Sequence, residues 1–247
     1  MNNRGGILVL GASSAMARAT SAELAQRGYD LYLAGRDTEE LSRIAGDLRL
    51  RHGVRVVYGA FDALAMETHA DFLRRVITDM GDLNGVILAF GDLGHDRDSR
   101  DFPGAGRIIA VNFTGAASIL SACANYFEGR KSGFIIAISS VAGDRGRQSN
   151  YVYGSAKGAL SLFMQGLRNR LHPSHVRVIT VKPGFVDTAM TYGMPGMFFV
   201  ATPEYIGQRI VMALDRRSDI VYLPWFWRYI MLIIRLIPER IFKRLRL

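Results

Sequence analysis

Seven short apolar runs, separated by stretches of helical character, constrain this chain more than any other feature. They lie at residues 7–10, 30–34, 54–58, 85–90, 134–138, 176–181 and 220–223. Each is too short for a helix and apolar at successive positions, the pattern of a strand covered on both faces. Between them the sequence reads as helix, over about 15–27, 38–50, 67–80, 106–127, 150–171 and 204–216. This alternation, without internal repeats or low-complexity segments, predicts an α/β fold: a Rossmann-like doubly wound parallel sheet in three layers. A chain of 247 residues, 49% of them hydrophobic, is long enough to bury a sizeable core. No Pro/Gly/Ser-rich linker divides residues 1–223, which are taken as one dinucleotide-binding and catalytic domain, while 224–247 stand apart as a basic amphipathic tail.

In an open sheet of this kind ligands bind beyond the carboxyl ends of the strands, so the residues after each run are the candidates. After the first comes Gly11-Ala12-Ser13-Ser14-Ala15-Met16-Ala17. Small residues let a backbone approach a pyrophosphate, and the following helix N-terminus attracts anions. Gly11, Ser13, Ser14, Ala15 and Met16 are therefore candidate dinucleotide-binding residues. Ala15 and Ala17 stand where such a turn usually has glycine, so a plain strand–helix joint fits as well. Gly35-Arg36-Asp37 closes the second run. An arginine there accommodates the 2′-phosphate of NADP, or is a solvated turn residue, and Asp37 is placed to cap the next helix. Asp62 and Ala63 close the third run, at an adenine edge or simply in a turn, and Gly91 closes the fourth. After the sixth, Thr188 and the Val186 backbone are placed to hold a nicotinamide amide.

Acid–base chemistry concentrates around the fifth run. Ser140 ends it, Tyr153 follows thirteen residues later, and Lys157 stands four further on in a helical stretch, so tyrosine and lysine share one helix face. Free tyrosine has a pKa of about 10. A neighbouring ammonium is expected to lower it toward the working range, and the serine hydroxyl to hold a substrate oxygen while its charge changes. The three would form a proton donor for a carbonyl; the alternative is a core aromatic beside a solvated lysine. Asn112, inside the 106–127 helix, needs a polar partner. It is either a satisfied core amide or a water link to Lys157. His95, in the charged loop 92–101, receives no role.

The formal net charge is +9, but no nucleic-acid motif accompanies it. The excess is local: Arg228, Arg235, Arg240, Lys243, Arg244 and Arg246 face a single acid, Glu239, in 225–247. Its apolar part, 225–237, makes about 20 Å of helix, too short for a bilayer core of about 30 Å. It suits a helix lying in the headgroup zone of a membrane, or one packed on the domain. Residues 193–200, rich in Met and Phe between Gly and Pro, read as an adaptable apolar lid or as core packing. If lid and tail face each other, an isoprenoid chain fits between them. The five histidines have no zinc spacing, so no metal site is expected. The lone Cys123 fits a reducing compartment, and the first apolar run is too short for a signal peptide. A cytoplasmic protein, peripheral on a membrane, is the expectation.

Over about residues 7–223 these motifs resemble the short-chain dehydrogenase/reductase family. Residue by residue, the family's tetrad falls on Asn112, Ser140, Tyr153 and Lys157, and its cofactor motifs fall on Gly11, Arg36, Asp62 and Pro183-Gly184 with Thr188. The resemblance implies an NADP-dependent oxidoreductase in which Tyr153 transfers the proton, Ser140 steadies the substrate oxygen, Lys157 lowers the tyrosine pKa and holds the nicotinamide ribose, and Asn112 completes a water relay.

 The implied protein is thus an NADPH-using enzyme that assembles as a homo-oligomer. Two departures stand out. Ala15 and Ala17 replace motif glycines, and Leu88-Ala89-Phe90-Gly91 stands where the family usually shows Asn-Asn-Ala-Gly, which brings Phe90 near the cofactor. A narrower resemblance, in 89–94, 139–145, 149–155, 226–229 and 237–242, is to the family's reductases of polyprenyl-phosphate-linked 2-keto-pentoses. It implies a lipid-linked sugar of cell-wall biosynthesis as substrate and a flavin-dependent oxidase as the partner that makes the ketone. Reduction of another hydrophobic ketone, acyl or polycyclic, and a non-catalytic dinucleotide-binding sensor are the alternatives.

Overall fold

The computed structural model describes residues 5–94, 101–193, 196–216 and 218–245. His95, Met194 and Pro195 of the expected lid, and Arg246 of the tail lie outside the described residues. Seven parallel strands form one sheet in the order β3-β2-β1-β4-β5-β6-β7. They are β1 (Gly6–Leu10), β2 (Asp30–Gly35), β3 (Val56–Ala60), β4 (Leu83–Leu88), β5 (Phe134–Ile138), β6 (Arg177–Pro183) and β7 (Ile220–Leu223). Strand order reverses between β1 and β4, which opens a crevice at their carboxyl ends.

Alternation along β1 explains the three layers. Ile7 and Val9 face a core shared with α1 (Ala15–Gln26), α2 (Thr38–His52) and α7 (Pro203–Asp215). Leu8 and Leu10 face the opposite core, shared with α3 (His69–Met80), α5 (Ala116–Arg130) and α6 (Tyr151–Leu171). All five β1 residues are buried, as a central strand covered on both sides requires.

Several boundaries depart from the sequence reading, β4 (Leu83–Leu88) by two residues at each end. β3 starts at Val56 because Gly53, at φ 66°, caps α2 through the Arg49 carbonyl; residues 54 and 55 are used in the turn. β6 runs on to Pro183, which pairs with Leu223, a place where proline's missing N–H ends the ladder. The long helix is interrupted: α4 (Phe102–Ile109) and α5 are joined by a π-helical segment, Ala110–Gly115, that carries Asn112. After β7 come α8 (Trp227–Leu236) and α9 (Glu239–Phe242). The tail packs on the domain through Trp227 and Met231, which join Val141 in a small buried cluster.

Candidate active site

The β1–α1 turn is shaped by one backbone requirement. Gly11 sits at φ 80°, and a β-carbon there would lie 2.6 Å from the Phe90 backbone nitrogen. Only glycine lets the turn lie against the end of β4 in this conformation. Ala15 and Ala17 need no such freedom, because both lie in the first turn of α1. Ser14 caps that helix, its side chain accepting from the Ala17 N–H at 3.3 Å. The departure from glycine therefore leaves the turn intact.

Beyond this turn lies a cleft of about 590 Å³. Gly11, Ser13, Ser14, Ala15, Met16, Arg36, Asp62, Ala63, Gly91 and Thr188 all line it, as expected. Arg36 is exposed, and no carboxylate pairs with it among the described residues. Asp62 also closes its own turn, accepting from the Leu64 N–H at 3.0 Å. Phe90 lines the cleft and stands 5.8 Å from Phe61, ring to ring.

Three further expected cofactor residues, Pro183, Gly184 and Val186, lie outside the lining of this cleft. Pro183 is the last residue of β6 and is buried. Gly184 is covered by the tail: a β-carbon on it would collide with the Trp227 indole. Val186 is buried beside Ala201, and its carbonyl accepts from the Thr191 hydroxyl. None of the three lines the cleft.

Ser140, Tyr153 and Lys157 come together behind Gly91, a residue of the cleft wall. A β-carbon on Gly91 would lie 2.9 Å from Asn112 Oδ1 and 3.2 Å from Lys157 Nζ, so the cleft floor touches both groups. Lys157 Nζ donates to the Ile138 carbonyl at 3.1 Å and stands 5.8 Å from the centre of the Tyr153 ring. Ser140 caps the 3-10 turn Val141–Asp144, its oxygen accepting from the Ala142 N–H at 3.1 Å. That turn lies flush on α6: a β-carbon on Gly143 would sit 2.6 Å from the Gly158 nitrogen, and one on Gly154 would sit 2.8 Å from the Ala142 carbonyl oxygen. Ser139 ties the same two elements from inside, bonding to the Lys157 carbonyl at 2.9 Å and the Ser161 hydroxyl at 2.8 Å.

The electrostatics differ from the expectation. Burial pushes the Tyr153 phenol up to about 12, and the hydrogen bond with Ser140 only partly opposes it. Burial also pulls the Lys157 ammonium down to about 8. Desolvation outweighs the attraction expected between the two groups. Asn112 is a satisfied amide: it donates to the carbonyls of Asp92 and Ile108 at 2.6 and 2.8 Å and accepts from the Asp92 N–H at 3.2 Å. It thus pins the loop after β4 beside the cleft.

Sequence reasoning missed several supporting residues. Arg18 lines the cleft and donates to the Ser13 carbonyl at 3.1 Å; its position one turn after Ser14 was the available signal. His69 is buried, stacked on Phe61 at 4.9 Å, and bonded to the Asp62 carbonyl at 3.0 Å and the Ser118 hydroxyl at 2.9 Å. Asp144 pairs with Lys182 and accepts from the Tyr222 hydroxyl at 2.7 Å, which fastens the Ser140 turn to the sheet. No signal in the sequence links these last three residues.

A doubly wound sheet with this crevice, and a tyrosine, lysine and serine clustered behind its wall at Gly91, defines a dinucleotide-dependent oxidoreductase. Residues 6–195 match the short chain dehydrogenase family, and the chain belongs to it. An uncharacterized oxidoreductase of Mycobacterium tuberculosis is 34% identical over 227 residues, covering 90% of this chain and 91% of that protein. One from Streptomyces coelicolor is 35% identical over 243 residues, covering 97% and 95%. Among solved structures, a short-chain dehydrogenase from Sphingobium yanoikuyae in complex with NADPH is similar, with a TM-score of 0.82, 25% identity and coverage of 93% of this chain and 92% of that one.

Proposed function

We propose that this chain reduces a ketone with NADPH, Tyr153 giving the proton, and that the ketone is the 2-keto group of a polyprenyl-phosphate-linked pentose. The observation that carries the chemistry is the convergence of Ser140, Tyr153 and Lys157 behind Gly91, which lines a cleft of about 590 Å³. The residues fit a dinucleotide: Gly11 clears the backbone approach, the α1 N-terminus faces the cleft, and Arg36 is open for a 2′-phosphate. The NADPH complex of the Sphingobium relative supports the same cofactor.

Bound NADPH supplies the hydride. The Ser140 oxygen accepts from Ala142 and its hydroxyl is hydrogen-bonded with Tyr153, so a substrate oxygen entering between the two would receive the serine O–H. With a pKa of about 12, Tyr153 holds its proton at neutral pH, the state in which a phenol donates to a carbonyl being reduced. Lys157, at about 8, is mostly charged at neutral pH and stabilises the phenolate left behind. Asn112 holds the Asp92 loop, and with it the floor at Gly91.

The substrate reading rests on the resemblance to decaprenylphosphoryl-2-keto-ribose reductase and on the apolar lid. The Phe198 ring packs tilted against Trp227 at 5.4 Å and Phe199 against Phe226 at 5.1 Å, so lid and tail face each other, and a prenyl chain would follow that wall. We further infer a cytoplasmic homo-oligomer, held to a membrane by its tail and supplied with ketone by a flavin-dependent oxidase. The test compares NADPH consumption with a polyprenyl-phosphate 2-keto-pentose and with acyl and polycyclic ketones. The keto-sugar is expected to have the higher kcat/KM by at least about tenfold. Equal or better turnover of plain hydrophobic ketones would remove the sugar from the account and leave the reductase.

A further inference from the structure

The tail helix has two apolar faces, and only one is packed. Trp227 and Met231 are buried against the domain, whereas Trp225, Tyr229, Leu232, Ile233 and Leu236 are between 53% and 72% exposed. Tyr229, Leu232, Ile233 and Leu236 recur at helical spacing and form one stripe, with Trp225 in the turn just before the helix. Contiguous open apolar surface of this kind marks a contact site. Arg228 and Arg235, seven residues apart, flank the stripe, and both are exposed.

Beside the start of the stripe, a crevice of about 250 Å³ lies between α7 and β7. Trp225 is a wall common to both: it lines the crevice and packs edge-on against Tyr229 at 6.0 Å. Arg209 and Arg216 also line the crevice. Arg209 lies over the Tyr205 ring at 5.1 Å. Neither arginine has a carboxylate partner among the described residues. The acids next to Arg216 in sequence are engaged elsewhere, Asp215 with Arg27 at 2.7 Å and Asp219 with Arg168 at 3.8 Å. Guanidinium groups without an acid, beside aromatic rings, suit a phosphate.

We propose that this crevice is a headgroup site for an anionic phospholipid, held by Arg209 and Arg216 beside Trp225, with the stripe of α8 lying in the same membrane. The proposal rests on the membrane reading given above and names the lipid and its site. A second copy of the chain fits less well, because a symmetric contact here would set arginine against arginine. A free phosphate would leave the stripe uncovered.

The test is flotation of the full chain with vesicles of phosphatidylcholine alone and of phosphatidylcholine with phosphatidylglycerol. The wild type is expected to prefer the anionic vesicles by at least about tenfold. Arg209→Gln with Arg216→Gln should lose most of that preference, while Arg240→Gln with Arg244→Gln, the same charge change on α9 and after it, should keep most of it. Thermal unfolding and NADPH binding check that each variant is folded. Equal losses in the two double variants would mean general charge attraction and overturn the site. No loss in the first would overturn the site and leave the membrane reading. Failure of the wild type to float with either vesicle would overturn both. Leu232→Ser with Ile233→Ser is expected to weaken flotation; if it instead dissociates an oligomer and leaves flotation unchanged, a second copy covers the stripe and the proposal is overturned.

Discussion

The cofactor side of this molecule and its tail side are built differently. Around the cleft, geometry follows from backbone requirements between neighbours in the chain: Gly11 turning at φ 80°, Ser14 capping α1, Arg36 directly after β2. On the tail side, geometry follows from side chains far apart in sequence. Trp227 covers Gly184, and Arg145 reaches the carbonyls of Arg235 and Ile237 and the Glu239 carboxylate at 3.2, 3.3 and 2.7 Å. The first side is rigid scaffold for a common cofactor. The second is an added surface, joined to the catalytic turn through Val141 and Arg145.

That contrast can be broken most sharply at Gly11. Gly11→Val meets the Phe90 backbone and an unfavourable φ, and should lower NADPH affinity by about a hundredfold or more. Normal affinity by titration would mean the turn is not the cofactor's seat. On the other side, Trp227→Ala should cost about 3 kcal/mol or more in denaturant unfolding, with NADPH affinity unchanged. A loss of both together would mean the two sides are not separable.

Lys157→Met sharpens the account of the shared centre. Lys157 has a folded pKa of about 8 against 10.5 when free, so between these values the unfolded chain binds the extra proton and stability rises with pH. Below about pH 8 the buried ammonium destabilises the fold. The variant should therefore unfold at a higher temperature than the wild type at pH 7, and the gap should close toward pH 10.5. A gap independent of pH would contradict the burial of a charged lysine. The smallest effect is at Arg36, where Arg36→Ala should shift the NADPH-to-NADH preference by about tenfold. An unchanged ratio would remove Arg36 from cofactor selection.

Legibility in the sequence follows the same division. β5 and β7 fall where the apolar runs placed them, and the cleft residues from Gly11 to Ala63 were readable because each follows its strand directly. The packing of Trp227 on Gly184 was not readable, because the two lie over forty residues apart. The π-helical turn at Asn112 has no periodicity signal of its own. The Tyr153 shift was read with the wrong sign, since spacing reveals a nearby ammonium but not how much water the fold removes from the phenol.

The most direct test of the central claim is NADPH consumption by wild type and Tyr153→Phe in the presence of a ketone substrate, with NADPH affinity measured on the same preparations. The account predicts that turnover falls by about 10²–10⁴-fold or more while affinity is unchanged. Turnover within about tenfold of wild type would contradict it, because the proton would then come from another group.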